Sequence, residues 1–138
     1  MNAHRKINGV IFSDLGQASS FMALDWVQSA LQESLGFSPF PATLNVHPET
    51  GEDLKIWGML RRDLEGIPLK PSAGGFCSAR LFRVKISKGA ERVVVNGAVL
   101  IPEVTDYPRD KIEVVAATRL KDELALQDGD QLTLEFVN

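Results

Sequence analysis

The chain is poor in the residues that make disulfides, metal clusters and membrane spans. A single cysteine, Cys77, excludes an intrachain disulfide and fits a reducing compartment. Its simplest role is that of a small residue on a strand. The two histidines, His4 and His47, lie far apart in the chain and have no cysteine near them, so no zinc site is expected. No apolar run approaches the roughly 20 residues that a membrane span requires. The opening MNAHRKINGV lacks the apolar core of a signal peptide, so a cytoplasmic protein with no membrane partner is expected. There is no Gly-Lys-Ser/Thr, hence no Walker A phosphate loop. Positive charge is not in excess either: 15 Lys and Arg stand against 18 Asp and Glu, a net charge of −3. That argues against broad, charge-driven nucleic-acid binding. No linker, repeat or low-complexity tract divides the 138 residues, and the prior is one domain.

What is present reads mainly as short strands. KINGVIFS, from about Ile7 to Ser13, is the first. SSFMALDWVQSALQESLGF then reads as a helix capped by Ser19 or Ser20, with Ala23, Val27, Ala30, Leu31 and Leu35 on one face and Gly36 as its stop. Trp26, beside that stripe, is expected to pack onto the sheet. TLNVHP is a short strand, and GEDLKIWGMLRRDLEG permits a second helix despite Gly58. KPSAGGF is a loop. CSARLFRVKI alternates as a strand should. RVVVNGAVLIP reads as a strand pair or as one long strand bent at Asn96-Gly97. KIEVVAA, a helical turn in TRLKDELAL, a tight turn at QDGD and a last strand QLTLEFV complete the chain, with Leu132, Leu134 and Phe136 facing inward. Six or so strands with little helix indicate a small β-barrel.

Three clusters carry possible chemistry. The first is the small-residue turn FSDLGQASSF between a strand and a helix, where free N–H groups suit either an anion or ordinary helix capping. The second is FSPFPATLNVHP. Pro39 and Pro41 remove two donors and fix two φ angles just ahead of Thr43 and Asn45. Two apart on a strand, those residues share a face, so a hydroxyl and an amide oxygen can serve Mg²⁺ together or bond to nearby backbone. The third is TDYPRDKIEVVAATRLKDEL. Here Thr105 and Tyr107 lie in a loop and Glu113 opens a strand. Thr118, Arg119 and Lys121 follow, either facing a phosphate or as solvated surface.

In this order the clusters resemble the CTP-dependent riboflavin kinase family, best known from archaea, over about Asn8 to Val137. The matching stretches are Asp14-Leu15-Gly16-Gln17-Ala18, where the family has a Gly-Leu-Gly-Glu-Gly type turn, and Leu35-Gly36-Phe37. They continue with Pro39-Phe40-Pro41-Ala42-Thr43-Leu44-Asn45 and the Leu120 to Asp130 ending with Asp-Gly-Asp. The resemblance implies a six-stranded cradle-loop barrel over residues 1–138, mainly β, with one helix after the first strand, a possible second short helix and no separate DNA-binding domain. It implies transfer of the γ-phosphate of CTP to the 5′-hydroxyl of riboflavin, giving FMN and CDP, with Mg²⁺ as cofactor. Nucleotide contacts then map to Asp14, Leu15, Gly16, Gln17, Ala18 and Ser19, and to Thr118, Arg119, Leu120 and Lys121. Metal contacts map to Thr43 and Asn45, flavin contacts to Thr105 and Glu113. Glu113 is the candidate to orient the ribityl chain or accept the hydroxyl proton.

The sequence departs from the family pattern at Asp14 and Ala18, which replace glycines, at Gln17, which replaces glutamate, and at Ala42, where glycine is usual. A glycine lost from positive φ costs on the order of 1 kcal/mol. The alternative expectation is therefore a non-catalytic flavin- or nucleotide-binding module of the same fold with an altered phosphate turn. A DNA-binding regulator, a role found among related cradle-loop barrels, fits less well with the negative net charge and the lack of a helix-turn-helix segment.

Overall fold

The computed structural model describes residues 5–13, 22–70, 78–89 and 93–137. Among these residues seven strands form one antiparallel sheet: β1 (Lys6–Phe12), β2 (Leu44–Pro48), β3 (Ile67–Leu69), β4 (Ala79–Ser87), β5 (Val94–Pro102), β6 (Ile112–Ala116) and β7 (Gln131–Phe136). Their order is β3-β4-β5-β6-β2-β1-β7, and a further pairing of β4 with β7 closes six of them into a barrel. The nine residues of β4 make this possible. All of β4 pairs with β5, while its other edge is divided between β3 at Ala79 to Leu81 and β7 at Val84 to Ser87. Closure removes the free edges that an open sheet would present. Among the described residues three short helices accompany the barrel: α1 (Asp25–Leu35), α2 (Gly51–Asp63) and α3 (Leu120–Glu123).

Strand alternation divides the apolar residues between two cores. Ile7, Ile11, Val46, Phe82, Val84, Val99, Val114, Leu132 and Leu134 fill the barrel. Helix α2 closes it with Trp57, fully buried, stacked on Phe136 at 5.5 Å and edge-on to Phe82 at 6.1 Å. The second core lies outside, where Leu69, Ala79, Leu81, Ala98, Leu100 and Val115 meet Val27, Leu31 and Leu35 of α1. Trp26 packs against this outer core, as expected. Each fully buried Leu or Val contributes roughly 1.5–3 kcal/mol, so both layers matter to stability. The helices are fastened by side chains. Thr50 accepts from the Asp53 N–H at 3.1 Å and donates to its carboxylate, which in turn accepts from the Asn8 N–H at 3.0 Å. At the far end of α1, Arg83 donates to the carbonyls of Ser34 (2.7 Å) and Leu35 (3.2 Å), and Gly36 takes the left-handed conformation with φ 86°.

The structure corrects several readings of the sequence. Helix α1 as described starts at Asp25; the caps expected at Ser19 or Ser20 lie outside the described residues. Leu24 is extended, with ψ 137°, and provides no side-chain cap. Met22 is buried ahead of α1, and Ala23, expected on the buried stripe, is exposed. Of the two readings of RVVVNGAVLIP, one long strand is the one found: β5 pairs with β4 without a break from Val94 to Pro102 and is buried from Gly97 to Ile101. Gly97 serves close packing: a Cβ there would stand 2.4 Å from the Val115 carbonyl oxygen. Strand β3 was not anticipated. With three residues, one of them Pro68, it is too short to show alternation.

Candidate functional site

The stretch from Phe40 to Asn45 is anchored before it reaches its two oxygen-bearing side chains. The Phe40 N–H donates to the Ala116 carbonyl at the end of β6 (2.8 Å), and the Ala42 N–H donates to the Phe40 carbonyl (2.7 Å). The second bond closes a three-residue turn around Pro41, whose ring-fixed φ is close to the one such a turn demands. Among the described residues other than glycine, only Ala125 has positive φ. Ala42 therefore occupies the usual glycine position of the pattern without backbone strain.

Beyond the turn, strand alternation decides the faces. Leu44 and Val46 point into the barrel, leaving Thr43 and Asn45 on the outside. Asn45 stands opposite Phe12 on β1 and opposite Glu113 on β6. Glu113 is only 7% exposed. Its Oε1 accepts the Thr43 hydroxyl at 3.0 Å and its Oε2 accepts the Tyr107 hydroxyl at 2.6 Å. Two charge-assisted bonds compensate a buried carboxylate that would otherwise be costly. They also commit the Thr43 proton, so the lone pairs of Thr43 Oγ1 remain available as acceptors. Asn45 Oδ1 is buried and has no hydrogen-bond partner among the described residues. An unpaired buried acceptor costs about 1–3 kcal/mol, which marks this atom as one awaiting a partner.

Thr43 and Asn45 thus offer two neutral, hard oxygens on one face, beside one carboxylate. No group of three or more His, Cys, Asp or Glu side chains able to hold a metal occurs among the described residues. Such a donor set does not enclose an ion by itself. It suits Mg²⁺, which retains waters and takes substrate phosphates as its remaining ligands.

A cleft of about 140 Å³ opens beside this face. Phe40, Ala42 and Thr43 form one wall, and Thr118, Arg119, Leu120 and Lys121 form the other. The structure therefore brings together Thr43 and the whole 118–121 segment, which are 75 or more positions apart. Helix α3 is a single turn, and its cations are held by neighbours: Arg119 by Asp122 at 2.7 Å and Lys121 by Asp128 at 3.3 Å. Asp128 also accepts from the Ser13 hydroxyl. That bond and the one from Lys121 hold the Asp128 carboxyl below its usual value. Ser13 is the last described residue before the small-residue turn, and Asp14, Leu15, Gly16, Gln17, Ala18 and Ser19 lie outside the described residues.

Thr105 is exposed in the loop between β5 and β6. No hydrogen bond joins it to Glu113. The loop reaches that carboxylate through Tyr107 instead. Sequence reasoning placed Tyr107 in this loop but gave it no part in the site. It is the one tyrosine of the chain, six positions before Glu113, and that isolation was the available signal. Asp128 was likewise read only as part of a turn motif.

Comparison with known proteins identifies the family. Residues 11–136 match the family CTP-dep_RFKase, described as "Domain of unknown function DUF120". A protein named riboflavin kinase from Pyrobaculum arsenaticum is 35% identical over 132 residues, covering 96% of this chain and 60% of that protein. One of the same name from Archaeoglobus fulgidus is 29% identical over 136 residues, covering 96% and 54%. A third, from Methanobrevibacter smithii, is 31% identical over 132 residues, covering 95% of this chain and 99% of the relative. The chain thus spans little more than half the length of the first two and nearly all of the third.

Proposed function

We propose that this chain, which belongs to the CTP-dep_RFKase family, is a Mg²⁺-dependent riboflavin kinase that transfers the γ-phosphate of CTP to the 5′-hydroxyl of riboflavin, yielding FMN and CDP. The observation that carries the reading is the pair of outward oxygens at Thr43 and Asn45. One has its proton directed away, and the other is buried with no hydrogen-bond partner among the described residues. The names of the relatives supply the substrate class.

In phosphoryl transfer the protein chiefly positions reactants and neutralises charge. Thr43 Oγ1 and Asn45 Oδ1 would hold the metal at the mouth of the cleft. When bound, Mg²⁺ supplies charge neutralisation on the triphosphate. Arg119 and Lys121 add positive charge on the opposite wall. The 14–19 turn would contribute N–H groups to the phosphates. Glu113 keeps Thr43 in its metal-facing rotamer through one oxygen and Tyr107 in place through the other. A carboxylate has about four acceptor positions, so Glu113 retains capacity to accept the ribityl hydroxyl and orient it. On this reading Thr105 and Tyr107 would put the flavin side of the site at the β5–β6 loop.

A second reading is favoured by Asp14, Gln17 and Ala18, which alter the phosphate turn. In it the chain binds flavin or nucleotide without transfer. Incubation with riboflavin, Mg²⁺ and CTP, with products resolved by chromatography, separates the two. FMN and CDP in equal amounts support the kinase. Folded protein that binds riboflavin but forms neither product contradicts it.

A further inference from the structure

The 127–130 turn is bound to the end of β1 more firmly than a surface turn requires. The Ile11 N–H donates to the Asp130 carbonyl at 3.0 Å, and the Gly129 N–H donates to the Ile11 carbonyl at 2.8 Å. Gly129 permits this with φ 93°. Asp130 is used inside its own turn, where its carboxylate accepts from the Gln127 N–H at 2.8 Å and lies 3.7 Å from Lys88 Nζ. Asp128 behaves differently. Both of its oxygens serve groups outside the turn: Oδ2 accepts the Ser13 hydroxyl, and Oδ1 accepts Lys121 Nζ at 3.3 Å. Among the described residues, it is the one side-chain link between the strand end that enters the 14–19 segment and the helix that forms the far wall of the cleft.

We infer that Asp128 is a positioning residue for the triphosphate. Its carboxylate clamps Ser13, at the threshold of the 14–19 turn, to Lys121, on the opposite wall. The inference rests on the nucleotide reading given above. Asp128 stands behind Lys121 and need not touch the reacting atoms. It limits the rotamers of a long, flexible cation, so that less freedom is lost when a phosphate arrives. Its effect therefore falls on nucleotide affinity and leaves the flavin side and the transfer step alone.

The test compares wild type, Ser13→Ala, Asp128→Ala and the double variant, each for CTP binding by calorimetry and for initial rates. Asp128→Ala should weaken CTP binding about fivefold, the scale of an exposed charge-assisted bond, with kcat and the KM for riboflavin within about twofold. Ser13→Ala should produce part of that loss, and the double variant should bind no more weakly than Asp128→Ala, as expected of residues in one network. Unchanged CTP binding in Asp128→Ala, an equal loss for riboflavin, or additive losses in the double variant would overturn the inference while the kinase reading stands. A wild type that binds no triphosphate overturns both. If Asp128→Ala fails to fold, Ser13→Ala decides alone, because it removes only an exposed hydroxyl: weaker CTP binding supports the clamp and unchanged binding refutes it.

Discussion

Asn45 and Glu113 stand directly opposite each other on β2 and β6, and they are satisfied unequally. Glu113 has a hydroxyl on each oxygen, whereas the Asn45 amide oxygen is buried and unpaired among the described residues. Replacing Asn45 with Leu removes the unpaired acceptor and keeps the approximate shape. Stability should stay within about 1 kcal/mol of wild type or rise, while the Mg²⁺ concentration needed for half-maximal activity increases tenfold or more. Thermal unfolding and a Mg²⁺ titration of the rate check the two halves. A marked loss of stability would mean that Asn45 is a structural residue.

Tyr107 connects the β5–β6 loop to the same carboxylate. Tyr107→Phe leaves the ring and deletes the 2.6 Å bond, so a buried carboxylate loses one of its two donors. A destabilisation of about 1–3 kcal/mol is expected, measurable by denaturant unfolding. The KM for riboflavin should rise, with the KM for CTP little changed. The opposite pattern would assign Tyr107 to the nucleotide side.

Closure of the barrel depends on close approach at Gly97. A Cβ at this position would lie 2.4 Å from the Val115 carbonyl and 2.7 Å from Ile86 Cδ1. The first neighbour is backbone and cannot rotate away. Gly97→Ala should cost about 2–4 kcal/mol, on the scale of overpacked cores, and lower the unfolding midpoint accordingly.

Asp128 sets an acid-side dependence. Its carboxyl is held below the usual value, first by the Ser13 hydroxyl and then by Lys121. A depressed folded-state value means that the group favours the folded protein above its unfolded pKa. That contribution is lost as the pH falls below about 4 and through the folded value. Carboxyl NMR should find Asp128 titrating lower than an ordinary aspartate, and Ser13→Ala should move its midpoint upward. An unmoved midpoint would remove the Ser13 bond from the account.

The sequence was most legible where a pattern repeats along one element. Alternation in β4 and β7 and the helical stripe of α1 from Val27 to Leu35 identified the barrel and its covering helix. The i, i+2 spacing of Thr43 and Asn45 placed both on one face before any coordinates. Contacts between distant segments were not legible. Burial of β5 on both faces depends on α1 lying over it, and a continuous apolar run does not distinguish that from a hairpin. Strand β3 exists because β4 is long enough to have a second partner. The Tyr107–Glu113 bond depends on loop geometry, and the Ser13–Asp128 bond spans 115 positions. The described helix α1 starts at Asp25 after an extended Leu24, which apolar spacing alone does not announce.

The central claim is that Thr43 and Asn45 hold a divalent ion that a triphosphate completes. Paramagnetic broadening by Mn²⁺ in the presence of CTP tests it most directly, because it reports where the ion sits whether or not turnover occurs. The account predicts that backbone signals from Thr43, Leu44, Asn45 and Glu113 broaden first, and that Asn45→Leu abolishes the effect. Broadening centred elsewhere, or none around β2 with CTP present, would contradict it.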